Sequence, residues 1–264
     1  MGNPFGATID WDDAANWTKT NIESTIYVWD PSANAGNGEY LTWNGTTGTL
    51  GSGLISPFQG FWTKANAISP SLIVKKAVKT TGGNFVKKES SFTTPVIELE
   101  AVTDGLSKRT SFMFSEDGSN EIDHYDGYRL VPFSESQLEF YSILDDGTQL
   151  AINSLPVTLT NRIKIPLSLS AFKNGLPYSG EFTIRLSGEK GIPEDWLVSL
   201  LDNETGEIID LISDRSYTFF FGTKGKISSN SQKGKMSVTQ KSSSQSTRFS
   251  LQVSTPEIET SIPN

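Results

Sequence analysis

The chain has 264 residues, a formal net charge of −8, 36% hydrophobic residues and 11% aromatic residues. This length suits one large or two modest domains, and the acidic balance argues against nucleic acid or an anionic membrane as the main partner. The sequence contains no cysteine and one histidine, His124. These counts exclude disulfide frameworks, cysteine-ligated metal centres and sites that need several histidines. No run approaches the ~20 apolar residues that span a bilayer, so we expect no membrane insertion.

Short runs rich in β-branched and aromatic residues follow one another along the chain, each bounded by turn residues. Runs of this kind, spaced roughly 8 to 12 residues apart, are typical of β-sandwiches and jelly rolls. Helical candidates are limited to 12–17 and 193–196. The fold class is therefore predicted to be all-β, with strands at 25–30, 39–44, 60–64, 96–101, 110–114, 127–131, 138–144, 162–167, 181–186, 197–201, 217–221 and 248–253.

Two turns in the sequence predict β-hairpins. Asp145-Asp146-Gly147 follows the predicted strand 138–144, and Asn203-Glu204-Thr205-Gly206 follows the predicted strand 197–201. Asp, Asn and Gly tolerate the backbone conformations that tight turns require. We expect each turn to pair its strand with the apolar run that comes directly after it.

Changes in composition divide the chain. No acidic residue occurs from Tyr40 to Lys88, and this stretch ends in a lysine-rich connection. We therefore predict an aromatic-rich β domain at 1–88 and a β-sandwich or jelly-roll domain at 92–254. Lys and Ser dominate 223–247, which predicts a long polar loop with the character of a disordered segment. Residues 255–264 resemble a linker, and we expect the natural chain to continue beyond Asn264.

Several segments, in order along nearly the whole chain, resemble a recurrent region of large secreted surface proteins of Bacteroidota. In those proteins the region lies just upstream of the C-terminal sorting domain that the type IX secretion system reads. The resemblance implies an extracellular or outer-membrane location and a β architecture, and it carries over no catalytic residue. The segments that carry the likeness include Gly2–Phe5 (GNPF), Thr25–Pro31 (TIYVWDP), Ile55–Trp62 (ISPFQGFW), Tyr125–Leu130 (YDGYRL), Pro193–Trp196 (PEDW) and Leu201–Leu211 (LDNETGEIIDL).

Aromatic residues are concentrated near the N-terminus, where five of the six Trp fall within the first 62 residues. With a period of two, Ile26 and Val28 face one side of the predicted strand while the neighbouring aromatics face the other. Exposed rings there would form a stacking platform for a polysaccharide, whereas buried rings would pack against the neighbouring domain or the 59–62 segment. Both alternatives remain open. The candidate ligand-binding residues are Tyr27, Trp29, Trp43 and Trp62.

An oxygen-rich run from Glu116 to Asp126 could hold a hard cation such as calcium. The spacing is not that of an EF-hand, because counting from Asp117 places Ile122 at position 6 and Tyr128 at position 12. The alternative is a solvated loop whose Asp and Asn side chains form local turns. His124 has no activating partner in the sequence, which favours a structural or solvent-exposed role. The candidate calcium ligands are Asp117, Asn120, Asp123 and Asp126.

No local motif marks a catalytic centre. The chain has 30 acidic residues, so a carboxylate-based glycoside hydrolase is an alternative that spacing alone does not exclude. The Gly-rich stretches fit neither a phosphate-binding loop nor a dinucleotide fingerprint. We therefore predict a non-catalytic structural or adhesion module that precedes a sorting domain, with neighbouring domains of a larger surface protein as partners. A carbohydrate-binding module is the second candidate, and calcium is the one cofactor left open.

Overall fold

The computed structural model describes residues 1–81, 94–159, 162–221 and 247–255. Strands dominate these residues, and the only helical elements among them are one turn at Ala33–Gly36 and a 3₁₀ turn at Lys76–Val78. The predicted all-β class is confirmed. In the described part of the chain, no helix has the length and apolar character needed to cross a membrane. The predicted domain boundary at 88–92 and nearly all of the loop at 223–247 and the tail at 255–264 lie outside the described residues.

The N-terminal part, residues 1–81, consists of small antiparallel sheets around one core. The sheet orders are β5-β1-β8, β2-β7 and β4-β3-β6. Ile9, Trp11 and Ile26 are among the side chains buried in this core. The strands are β1 (Thr8–Asp10), β2 (Trp17–Thr20), β3 (Ile22–Asp30), β4 (Glu39–Trp43), β5 (Leu54–Ile55), β6 (Trp62–Ala65), β7 (Ser71–Val74) and β8 (Lys79–Thr80).

The C-terminal part, residues 94–255, is built on one large sheet. Its strands are β9 (Val96–Thr103), β10 (Leu106–Ser115), β11 (Gly127–Tyr128), β12 (Gln137–Ile143), β13 (Gln149–Pro156), β14 (Ile163–Lys173), β15 (Leu176–Pro177), β16 (Gly180–Lys190), β17 (Leu197–Asp202), β18 (Ile208–Asp210), β19 (Ser216–Phe221) and β20 (Phe249–Ser254). The order is β18-β17-β20-β14-β12-β13-β10-β9-β16-β19, with β11 paired to β13 and β15 to β14. Neighbours are antiparallel, except for the parallel pair β10 and β13.

This sheet curls around a single hydrophobic core until its two ends meet. The ring of Phe219 on β19 lies 4.5 Å from the ring of Phe249 on β20. The Tyr217 hydroxyl on β19 lies 3.2 Å from a carboxylate oxygen of Asp202 on β17. Side chains of β17, β19 and β20 therefore contact one another across the seam between the two ends of the sheet.

All twelve predicted strands are present, with shifts at their ends, although the predicted strand 127–131 shortens to Gly127–Tyr128. Both predicted hairpins are confirmed: Ile143 pairs with Gln149, and Leu201 pairs with Ile208. The helical candidates 12–17 and 193–196 form turns instead of helices. Short strands β1, β2, β5, β7, β8 and β15 were not predicted, because two to four residues carry too little periodicity.

Polar contacts join the two parts over a wide interface. The Thr25 hydroxyl donates to the backbone oxygen of Asp126 at 2.8 Å, and the Asn44 amide donates to that of Tyr125, also at 2.8 Å. The ammonium of Lys108 on β10 contacts the carboxylate of Glu39 on β4 at 2.5 Å, with both side chains buried. Backbone and side-chain hydrogen bonds of this kind fix an orientation as well as a distance. The contacts therefore hold the two parts in one relative arrangement.

Candidate ligand-binding groove

An open groove of about 370 Å³ lies where the two parts meet. Aromatic side chains line most of it, and Lys64 contributes the only charged side chain among the lining residues. A mainly apolar concave surface with few polar groups is typical of ligand sites. We call this feature the aromatic groove; its main lining residues are Tyr27, Tyr40 and Trp62 from the N-terminal part and Tyr128, Val131 and Phe133 from the C-terminal part.

The β3 strand supplies the floor of the groove. Ile26 and Val28 belong to the N-terminal core, and the alternation of side chains directs Tyr27 to the opposite face. Tyr27 pairs with Trp62 of β6 on one side and Thr42 of β4 on the other. Its side chain is only 3% exposed. Both faces of β3 are therefore covered, the aliphatic face by the N-terminal core and the Tyr27 face by the interface with the C-terminal part.

The rim of the groove carries rings that are unusually open to solvent. Trp62 is 59% exposed and Phe133 is 79% exposed. The Phe133 ring lies 5.4 Å from Trp29 and 5.9 Å from Tyr40, which fixes it in an edge-on cluster although most of its surface is free. Large aromatics are normally well buried. Two exposed rings beside one concavity therefore indicate a surface that is available for stacking.

Polar groups of the groove come from both parts. The Lys64 ammonium lies 3.3 Å from the ring centre of Tyr128, a cation–π contact across the interface. Burial raises the pKa of the Tyr27 phenol, and this effect outweighs the opposing influence of the Tyr128 backbone. The phenol therefore stays protonated. An ammonium, a phenol and several rings can bind and orient a ligand.

The four aromatic residues predicted from the sequence occupy different places. Tyr27 and Trp62 line the groove, and Trp29 is half-buried behind it, packed edge-on against Tyr40. Gly38 permits this position, because a Cβ added there would lie 2.2 Å from the Trp29 ring. Trp43 lies in the N-terminal core, where its indole N–H donates to the Asp12 carboxylate at 2.9 Å. The structure thus brings together two of the four residues, with a third behind them.

Sequence reasoning missed the contribution of the C-terminal part. Tyr128 ends β11, and Val131 and Phe133 follow it in an irregular segment where the sequence had predicted that the strand continues to residue 131. An isolated Phe in a loop next to Pro132 is the only signal in the sequence. The groove exists because the interface places this segment opposite β3.

The predicted calcium loop is organised by its own hydrogen bonds. The Asp123 carboxylate accepts from the backbone N–H of Ser119 at 3.1 Å and of Tyr125 at 2.8 Å. The Asp126 carboxylate accepts from Ser154 at 2.7 Å and Asp123 at 2.8 Å. Among the residues that the structure describes, no three His, Cys, Asp or Glu side chains come together as a metal-ligating group. Calcium binding by Asp117, Asn120, Asp123 and Asp126 stays a prediction.

Burial controls the ionisation of Asp126. Its removal from water raises the pKa of the carboxyl to about 7, and this effect outweighs the two backbone N–H bonds from Ser154 and Asp123, which favour the charged form. The nearby carboxylates of Asp123 and Glu23 raise it further. The backbone oxygen of Asp126 also accepts a hydrogen bond from the Thr25 hydroxyl across the interface. Asp126 therefore belongs both to the 116–126 loop and to the contact between the two parts.

We expect Asp126 to make the protein less stable as the pH rises. Below about pH 4 the carboxyl is protonated in both the folded and the unfolded chain. Between about pH 4 and pH 7 the unfolded chain releases the proton and the folded chain keeps it, so the free energy of unfolding falls by up to a few kcal/mol. Denaturant unfolding of the wild type and Asp126→Asn measures this contribution as the difference between the two pH profiles. Parallel profiles would contradict it.

Two further cavities among the described residues have acidic side chains in their lining. A cavity of about 530 Å³ has Asp145 as its one acidic lining residue. Another, of about 420 Å³, is lined by Glu194 and Asp210, but the Asp210 carboxylate accepts from Ile212 and Ser213. Those bonds lower the pKa of Asp210, and the bond from the Ser213 hydroxyl has the largest effect. A general acid needs a raised pKa instead. The hydrolase alternative stays untested.

The chain was compared with known proteins at the level of sequence and of structure. The family described as "Domain of unknown function (DUF8693)" matches residues 1–230, which include the N-terminal part, the groove and most of the C-terminal sheet. Neither the curated proteins nor the solved structures contain a match. Since the family match spans most of the chain, this protein belongs to the DUF8693 family.

Proposed function

We propose that the chain is a non-catalytic structural or adhesion module of a larger secreted or surface protein. The observation that carries the proposal is the interface between the two parts, where the buried Lys108–Glu39 ion pair and hydrogen bonds from Thr25 and Asn44 fix one arrangement. A spacer that must keep its neighbours at a defined distance needs such a joint, because default contacts between domains allow relative motion. The partners are then the neighbouring domains of the parent protein.

The proposed location is the extracellular space or the outer-membrane surface of a bacterium. The support is the sequence resemblance to the region upstream of type IX sorting domains in Bacteroidota. Protease treatment of intact cells, followed by detection of this region with an antibody, tests the location. Cleavage without lysis is expected, and protection until the cells are broken would contradict it.

A rigid module should unfold as one unit. We expect scanning calorimetry to show a single transition whose calorimetric and van't Hoff enthalpies agree, because the interface couples the N-terminal and C-terminal cores. Glu39→Gln, which removes a charge from the buried ion pair, should weaken that coupling. Glu189→Gln is the matched control, since Glu189 pairs with Arg215 on the surface. Two separate transitions in the wild type would contradict the rigid-spacer proposal.

Polysaccharide binding in the aromatic groove is a second candidate function. The supporting observation is that Trp62 and Phe133 stand exposed beside the buried Tyr27 and the cation of Lys64. Sugar rings present apolar faces that stack on aromatic rings, and we take about 1 kcal/mol per ring by analogy with aromatic pairs. One ring is therefore insufficient. Two rings at one rim, with a phenol and an ammonium as polar partners, would give a weak adhesive site whose avidity rises on a polymer.

Trp62→Ala tests this second candidate. We expect the variant to lose retention in affinity electrophoresis through gels that contain a polysaccharide, while its melting temperature changes little because the side chain is mostly exposed. Phe58→Ala is the matched control: Phe58 is similarly exposed and does not line the groove. Equal migration of wild type and both variants across neutral and acidic polysaccharides would remove the candidate and leave the spacer proposal standing.

A further inference from the structure

Three side chains at the interface form a continuous polar chain. The Lys108 ammonium donates to Oε1 of Glu39 at 2.5 Å, and the Asn34 amide nitrogen donates to Oε2 of the same carboxylate at 3.0 Å. The side-chain oxygen of Asn34, Oδ1, accepts from the backbone N–H of Ser107 at 3.1 Å. One carboxylate thus bridges a primary amine and a carboxamide, and a backbone donor holds the carboxamide oxygen.

The surroundings of this chain exclude most water. Lys108 and Glu39 are both more than nine-tenths buried, and Asn34 is half-buried. Asn34 lies in the turn Ala33–Gly36 with a left-handed backbone, φ 51°. A left-handed conformation is uncommon for a residue other than glycine and is held by its contacts. Amine, carboxylate and carboxamide are therefore positioned by β10, β4 and a constrained turn, respectively.

We propose that Lys108 and Asn34 form an intramolecular isopeptide bond, with Glu39 as the proton-transfer group. Glu39 takes a proton from the Lys108 ammonium, and the neutral amine attacks Cγ of Asn34. The Ser107 N–H stabilises the negative charge that develops on the carboxamide oxygen, as an oxyanion-hole donor does. Glu39 passes its proton to the leaving nitrogen. The C–N bond of the carboxamide breaks and a new C–N bond to Lys108 forms. The Lys108 nitrogen then loses its second proton, which Glu39 passes to the departing ammonia, so one ammonium ion leaves with no oxidant or cofactor required.

The bond would cross the interface between the two parts. Asn34 belongs to the N-terminal part, and Lys108 is in β10 of the C-terminal sheet. A covalent cross-link that closes a long loop reduces the entropy of the unfolded chain, as a disulfide does in chains that contain cysteine. This chain has no cysteine. The bond would replace the buried Lys108–Glu39 ion pair by an amide and would make the joint of the proposed function covalent. Mass spectrometry tests the bond, and calorimetry separately tests whether the joint is rigid.

Mass spectrometry of the denatured full chain tests the bond directly. We expect the intact mass to be lower than the sequence mass by one ammonia, and a tryptic digest to contain a branched peptide that joins Asn34 to an uncleaved Lys108. The digest is essential, because succinimide formation at an Asn-Gly pair such as Asn37-Gly38 also releases ammonia. A loss of ammonia without the branched peptide would overturn the proposal, as would an unchanged mass.

Variants separate the three roles. Lys108→Arg and Asn34→Ala should each abolish the branched peptide, and Glu39→Gln should prevent or slow its formation. Asn34→Asp should restore the link with loss of water in place of ammonia, which a merely structural role for Asn34 does not predict. Lys173→Arg is the control and should keep the link, because Lys173 pairs with Asp104 on the surface. Because the wild-type digest decides the question by itself, poor folding of a variant leaves the test intact.

Discussion

Replacing Trp11 with alanine is expected to lower the free energy of unfolding by about 3–5 kcal/mol, the usual cost of deleting a large buried aromatic. Trp11 is 1% exposed and lies at the centre of the N-terminal core. Its ring contacts Trp17 and Phe61 edge-on, with ring centres 5.1 and 5.9 Å away. Its indole N–H donates to the backbone oxygen of Ser24 at 2.7 Å, so the substitution also leaves that oxygen without this donor.

Urea unfolding followed by circular dichroism measures the loss. Phe58→Ala provides the control, since it removes an exposed aromatic from the same part of the chain and should change stability by less than about 0.5 kcal/mol. If the two parts unfold as one unit, Trp11→Ala lowers the midpoint for the whole molecule. A Trp11→Ala protein with wild-type stability would show that the N-terminal core is not packed as described.

Asp202→Ala should also be strongly destabilising, by about 3 kcal/mol, because it removes the fully buried partner of an ion pair. Arg248 keeps a second ion pair, with Glu204 at 3.0 Å, which holds the loss near this lower value. Asp202 is 0% exposed, and its Oδ2 accepts from Nη2 of Arg248 at 2.7 Å. The same carboxylate accepts from the Tyr217 hydroxyl at 3.2 Å. Asp202 therefore ties β17 and the residue before β20 to β19, where the two ends of the sheet meet.

The pH dependence of this site has the opposite sign to that of Asp126. Burial by itself would raise the pKa of Asp202, but the hydrogen bonds and charge of Arg248 and the Glu204 N–H together lower it below its ordinary value. Its contribution to stability is therefore present above the pKa of the unfolded chain and is lost as the pH falls through the lower folded value. Acid unfolding monitored by tryptophan fluorescence measures it.

Glu189→Ala is the control for Asp202→Ala. Glu189 forms a solvent-exposed ion pair with Arg215, and such pairs contribute little to stability. We expect it to leave the acid midpoint nearly unchanged, whereas Asp202→Ala should shift that midpoint to higher pH. An Asp202→Ala protein with wild-type stability near neutral pH would mean that the seam between β19 and the β17–β20 pair is held by packing of Phe219 on Phe249 alone.

Local sequence patterns determined the all-β class, the strands of the large sheet and its two hairpins. These elements depend on neighbouring residues: a period of two buries Phe112 and Phe114 on the same face of β10, and an Asp-Gly turn brings Ile143 opposite Gln149. The alternation in β3 also predicted that Ile26 and Val28 share one face and that Tyr27 lies on the other, and the structure places the aliphatic face in the core. The very short strands were not predicted, because their pairing is set by partners that are distant in sequence.

The aromatic groove could be identified only from the tertiary structure. The two-residue alternation of a strand predicted that Tyr27 and Trp29 share a face. Whether that face is exposed to solvent depends on the segment around Phe133, which is distant in sequence. Trp43 appeared to be an equal candidate, yet its indole N–H bonds to Asp12 inside the core. Composition identifies aromatic residues without showing what covers them.

The sequence by itself determined local features of this protein: strand positions, turn chemistry and the acidic, cysteine-free surface. Only the tertiary structure decided which strands close the large sheet, which rings stay exposed and that Asn34, Glu39 and Lys108 meet. The physical reason is the range of the interactions. Backbone preference and side-chain alternation act within a few residues, whereas burial and ionisation depend on atoms that come together only when distant segments pack.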